Sequence, residues 1–199
     1  GPKAGFADPL ATSEWGPGAL DYLLWDHGAT SRRAFDLGLV RQSSDTASYV
    51  VQPVQAAVWG SLYGSHFGQI EPGRVLDVHE FTLPPGIHRF DLTPIGTAVD
   101  WGMALHAPDR PYSNRSVGDS LGAAFAAPEG AAESFTVTIG ASGRYALAVW
   151  KNAQADLADN GRYSVAVTSG TVSADLGAPA ATRLAWVSPN PSRGPALVR

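Results

Sequence analysis

Val75-Leu76-Asp77-Val78-His79-Glu80-Phe81-Thr82-Leu83, closed by Pro84-Pro85-Gly86, opens the series of short runs that decides the fold. Ile87-His88-Arg89-Phe90-Asp91-Leu92 follows, then Val99-Asp100-Trp101-Gly102-Met103-Ala104-Leu105. The series ends with Glu133-Ser134-Phe135-Thr136-Val137-Thr138-Ile139, Gly143-Arg144-Tyr145-Ala146-Leu147-Ala148-Val149-Trp150 and Gly161-Arg162-Tyr163-Ser164-Val165-Ala166-Val167. These runs are rich in β-branched and aromatic residues, and Gly, Pro, Asp or Asn punctuates them. That pattern predicts an all-β fold: an antiparallel, jelly-roll-like β-sandwich with extended N- and C-terminal arms.

Working outward, residues 1–20 are rich in Gly, Pro, Ala and Ser around Trp15, and read as an extended arm. Residues 21–74 hold three strand-like runs, at 21–25, 34–40 and 48–54. They are read as extra strands of the same sandwich, because roughly 60 residues with so few apolar runs make a marginal core of their own. Residues 75–169 are the sandwich proper. Leu121-Gly122-Ala123-Ala124-Phe125-Ala126-Ala127 suits a short helix or a strand equally, and residues 152–160 read as a long turn. Residues 170–199 read as a linker and the first strand of a truncated further domain. Gly1-Pro2 suits the remnant of a cleaved tag, so an upstream export signal is expected to have been removed, and the stop at Arg199 inside a strand-like segment leads to the expectation of a piece of a longer polypeptide.

The chain has 199 residues, a formal charge of −4 and 16% charged residues. This balance gives no grip on nucleic acid or anionic lipid. The absence of cysteine excludes disulfides, thiol nucleophiles and Cys-ligated metal sites. No run approaches the ~18 apolar residues of a membrane span, so no membrane insertion is expected.

The stretch from Val75 to Val167 resembles the bacterial pre-peptidase C-terminal domain, a β-sandwich appended to secreted peptidases and other exported enzymes. The resemblance rests on His79-Glu80-Phe81-Thr82-Leu83-Pro84-Pro85-Gly86, Asp100-Trp101-Gly102-Met103-Ala104-Leu105 and the two closing Gly-Arg-Tyr runs. The family usually has Asp-x-Asp-Leu-Tyr where this chain has Asp100-Trp101-Gly102-Met103, which departs from any shared ion site. Ala185-Trp186-Val187-Ser188-Pro189-Asn190-Pro191-Ser192-Arg193-Gly194-Pro195 resembles the opening of the C-terminal sorting or FlgD-type immunoglobulin-like domain of bacterial surface proteins. Both resemblances imply a secreted or cell-surface bacterial protein.

The candidate ligand site is Val58-Trp59-Gly60-Ser61-Leu62-Tyr63-Gly64-Ser65-His66-Phe67-Gly68. Trp59, Tyr63 and Phe67 offer flat rings for stacking on a sugar, and His66 offers a hydrogen bond. The bland alternative is that these rings plug one end of the sandwich. Asp156, Asp159 and Asn160, ahead of Gly161, supply hard oxygen ligands suited to Ca²⁺, or else form a solvated turn. His79 and His88 flank the Pro84-Pro85-Gly86 turn, so adjacent strands would bring them together. No HExxH, phosphate loop or Gly-x-Ser-x-Gly frame occurs, and no catalytic residue is assigned.

The expected function is therefore that of a non-catalytic accessory or surface module of a secreted bacterial multidomain protein. Its partners would be the other domains of the polypeptide, and it needs no cofactor apart from the candidate Ca²⁺. One alternative is a carbohydrate-binding module for polysaccharide. Another is a structural subunit of an extracellular fibre or layer, self-associating through its terminal arms.

Overall fold

The computed structural model describes Tyr22 and residues 24–25, 52–96, 98–107, 114–115 and 120–170. The arms, the runs at 34–40 and most of 48–54, and the Ala185–Pro195 motif lie outside the described residues.

Eleven strands are described: β1 (Leu24–Trp25), β2 (Ala57–Val58), β3 (Gly64–Ile70), β4 (Leu76–Leu83), β5 (Gly86–Pro94), β6 (Trp101–His106), β7 (Asn114–Arg115), β8 (Gly122–Ala124), β9 (Glu133–Ile139), β10 (Gly143–Lys151) and β11 (Gly161–Gly170). One sheet runs β2-β4-β10-β6-β8, the other runs β3-β11-β5-β9, and β1 pairs with β7 in a short ribbon. Every pairing is antiparallel except that of β2 with β4. From β3 to β11 the chain alternates between the two large sheets at most connections, which gives a jelly-roll-like antiparallel sandwich.

Side-chain alternation explains the layers. Phe81, Leu83, Trp101, Met103, Leu105, Leu147 and Val149 of the five-stranded sheet face Phe90, Leu92, Val137, Ile139, Tyr163, Val165 and Val167 of the four-stranded sheet, and together they form the main core. A second core lies on the outer side of the five-stranded sheet, where Leu76, Val78, Ala104, Ala148 and Trp150 meet Tyr22, Val54 and Ala56. Tyr22, Val54 and Ala56 thus cover this sheet from outside. Tyr22 is fixed there by a 2.8 Å hydrogen bond between its hydroxyl and His106 Nε2.

The structure adjusts several sequence expectations. Residues 122–124 form strand β8 rather than a helix, pairing with β6. The 152–160 turn contains a 3₁₀ turn at Gln154–Ala158. Residues 52–54, expected to end a strand, are irregular. His79 and His88 lie on opposite sheets, β4 and β5, because Pro84-Pro85-Gly86 carries the chain across the sandwich instead of folding a hairpin. Gly86, at φ 139°, supplies a conformation there that other residues rarely adopt.

Candidate functional site

Residues 57–69 contain no Asp, Glu, Lys or Arg. They cross the open side of the sandwich, from β2 at the edge of one sheet to β3 at the edge of the other. An open side between two sheets about 10 Å apart needs a filler, and Trp59 supplies it. Its backbone N–H donates to Glu80 O (2.9 Å), which anchors the ring beside β4. The indole lies flat on His66 at 3.8 Å and 3°, and stacks with Phe81 at 4.8 Å and His79 at 5.0 Å. His66 Nε2 lies 3.1 Å from Leu62 O, so its N–H donates to that carbonyl and closes the loop.

Tyr63 and Phe67 differ from Trp59. Tyr63 is 47% exposed and lies near-parallel to His88, with centroids 6.2 Å apart. Phe67 points outward from β3 and is 75% exposed, as is Val58. Of the four proposed ligand-site residues, then, Trp59 and His66 join the inner stack, while Tyr63 and Phe67 present apolar surface to solvent.

Beneath this closure runs a buried polar chain. The Tyr163 hydroxyl donates to Asp77 Oδ2 at 2.8 Å. Its oxygen is therefore left to accept from His79 Nε2–H, 2.7 Å away. That assignment leaves His79 Nδ1 as a bare lone pair, and it is buried without a partner. Burial, assisted by His66, lowers the His79 pKa to about 4, so the ring is neutral. Burial raises the Asp77 pKa, opposed by the Tyr163 bond and by Arg74. Burial, with Asp77 beside it, pushes the Tyr163 phenol well above its ordinary range. The tyrosine ring fits because its cross-strand neighbour is Gly68, where a Cβ would stand 2.1 Å from Tyr163 Cζ.

The remaining carboxylates belong to the fold. Asp156 is buried and its Oδ2 accepts the Asp100 N–H at 2.8 Å. Asn152 Nδ2 donates to Asp100 Oδ2 (3.1 Å) and to Phe125 O (3.2 Å). Lys151 is buried and donates to the carbonyls of Glu71 and Asp159. Burial lowers its pKa, while Asp159, Asp156 and Glu71 oppose the shift. Asp159 and Asn160 are exposed, whereas Asp156 turns inward. No cluster of three or more His, Asp or Glu able to hold a metal occurs among the described residues.

The Asp77–Tyr163–His79 chain was not singled out from the sequence. A signal for it exists in the Leu76–Leu83 run. Phe81 and Leu83 face the core, and the period of two puts Asp77 and His79 on the same face.

No protein-family model and no curated protein matches the chain. Among solved structures it is similar to the pre-peptidase C-terminal domain of collagenase from Bacillus anthracis, at 17% identity and TM-score 0.41, over 59% of this chain and 98% of that one. It is also similar to PliG of Aeromonas hydrophila, a periplasmic inhibitor of g-type lysozyme, at 16% identity and TM-score 0.37, over 59% and 97%. A third is CorA, a surface-associated copper-binding protein of Methylomicrobium album BG8, at 12% identity and TM-score 0.40, over 59% and 98%. No helix among the described residues is long and apolar enough to cross a membrane.

Proposed function

We propose that this chain is a non-catalytic accessory module of an exported bacterial multidomain protein, with a sandwich of the pre-peptidase C-terminal type, and that it spaces and stabilises its neighbours. The observation that carries the reading is the use made of the buried titratable groups. Asp77, His79 and Tyr163 bond to one another. Glu133 accepts the Ala127 N–H at 2.6 Å, Asp156 accepts that of Asp100, and Lys151 bonds to carbonyls. These bonds tie strand ends and loops of the fold to one another. The Ala185–Pro195 sequence, with its surface-protein resemblance, supports export.

The test is to excise residues 52–170 from the full polypeptide. The expected result is a shorter lifetime under heat or protease, with unchanged turnover of a small soluble substrate by any neighbouring enzyme domain. An unchanged lifetime, or hydrolytic activity of the isolated chain on peptide, ester or glycoside panels, would overturn the reading.

The exposure of Tyr63 and Phe67 favours a second reading, binding of polysaccharide. Retention on insoluble glycans should fall in Tyr63→Ala. Trp59→Ala is a poor probe, because it opens the side of the sandwich.

A further inference from the structure

β3 is an edge strand, bonded to β11 on one side only among the described residues. Edges of this kind are usually blunted by lysine, proline, a bulge or an inward-pointing charge. The seven residues of β3, Gly64-Ser65-His66-Phe67-Gly68-Gln69-Ile70, carry no charge and no proline. Their middle residue is Phe67, 75% exposed. Ser65 and Gln69, on the same outward face, are exposed as well.

We propose that β3 pairs antiparallel with β3 of a second copy of this chain, about a two-fold axis at Phe67. The register follows by counting from the centre. Phe67 faces Phe67 of the second copy, Ser65 faces its Gln69, His66 faces its Gly68, and Gly64 faces its Ile70. The outward face then carries a central aromatic pair flanked on both sides by an uncharged polar pair. Like charges, which destabilise a ladder when opposite, meet nowhere along it. His66 turns inward toward Trp59, and the glycine opposite leaves it room. The contact is isologous and closes at two copies. It joins two four-stranded sheets across the molecule. An extended peptide of another protein would also find backbone partners here. Self-pairing is favoured because the strand's own sequence supplies, about the Phe67 axis, an aromatic partner for Phe67 and a polar partner for each of Ser65 and Gln69.

The test is sedimentation of the whole chain over a concentration series, with three variants at exposed positions and circular dichroism as the fold control. Wild type should show a reversible monomer–dimer equilibrium. Ser65→Glu with Gln69→Glu puts carboxylates opposite each other twice per dimer. Ser65→Lys with Gln69→Glu puts opposite charges there instead. Because each pair counts twice, the first should weaken the dimer and the second tighten it, each by about tenfold. Phe67→Lys should weaken it further. A wild type that stays monomeric to millimolar concentration overturns the proposal. So does a dimer on which the two double variants act alike, since they differ only at position 65. Capture of a foreign extended peptide by a monomeric wild type would do the same. None of these outcomes bears on lifetime in the full polypeptide, so the accessory reading stands or falls separately.

Discussion

The two large sheets are built by one rule but live in different surroundings. In the four-stranded sheet, β5, β9 and β11 alternate strictly: Phe90, Leu92, Val137, Val165 and Val167 point in, while Arg89, Thr136, Thr138 and Thr168 point out. In the five-stranded sheet β6 is buried at every position, from Trp101 to His106, and β10 is buried over most of its length. Its outer side is lined by Gly102, Ala104, Ala146 and Ala148, small residues that let Trp150 and Tyr22 lie close. The contrast teaches that an antiparallel strand loses its polar face when another part of the chain covers it. The cover here includes Tyr22, Val54, Ala56 and Phe125.

The largest expected effect tests whether the outer core is a core. Trp150→Ala should destabilise by about 3–5 kcal/mol, the range for a buried large aromatic, and so should Phe90→Ala in the main core. Both are measured as shifts in denaturant midpoint. If Phe90→Ala falls in this range while Trp150→Ala loses under about 1 kcal/mol, Tyr22, Val54 and Ala56 are not shielding that sheet.

Next in size is a pH effect confined to the sheet-to-sheet seam. The folded-state pKa of His79, about 4, lies below its ordinary 6.5. The unfolded chain therefore takes up the proton first as pH falls. The stability from keeping this ring neutral is fully present above pH 6.5 and is lost between 6.5 and 4, up to about 3 kcal/mol. Asp77 and Asp100, both raised by burial, act in the opposite sense, because their protonation favours the folded state. Unfolding midpoints between pH 4 and 7 should slope in wild type and flatten in His79→Gln. Equal slopes in the two proteins would remove His79 as the cause.

Much of this contrast can be read in the amino-acid order. The alternation of β5, β9 and β11 is visible directly, and the run Trp101-Gly102-Met103-Ala104-Leu105-His106 carries the unbroken pattern of a strand buried on both faces. β3 escaped because Gly64 and Gly68 interrupt its apolar face, so the segment looked like a ring-bearing loop. Gly68 is there because Tyr163 lies across it, a fact set by a residue almost a hundred positions away. The polar bonds are equally remote: Tyr22 to His106, His79 to Tyr163 and Tyr163 to Asp77 are separated by 84, 84 and 86 positions. Local propensity cannot encode such pairs. Parity could have placed Asp77 and His79 inside, but not named their partner.

Close approach of backbone to ring gives a third test, one per sheet. A Cβ at Gly102 would stand 2.3 Å from Trp150 Cε2, and one at Gly68 2.1 Å from Tyr163 Cζ. Gly102→Ala and Gly68→Ala should each destabilise by about 1–3 kcal/mol through overpacking. They should differ in a second readout. Gly68→Ala displaces the phenol that holds His79, so it should also alter the pH slope, whereas Gly102→Ala should leave it in place.

The smallest effect is the sharpest check on the contrast. Thr136 sits at the middle of β9 on the outer side of the four-stranded sheet, exposed, with Arg89 as its cross-strand neighbour. Thr136→Ala should change stability by no more than about 0.5 kcal/mol, because an exposed side chain buries little and loses only part of a strand preference. Ala104, the corresponding kind of position on the outer side of the other sheet, is fully buried. Ala104→Thr should lose more than Thr136→Ala by about 1 kcal/mol or more, since its hydroxyl enters an apolar layer without a partner. If the two substitutions come out equal in a paired denaturation experiment, the outer sides of the two sheets are energetically alike, and the cover over the five-stranded sheet contributes no core.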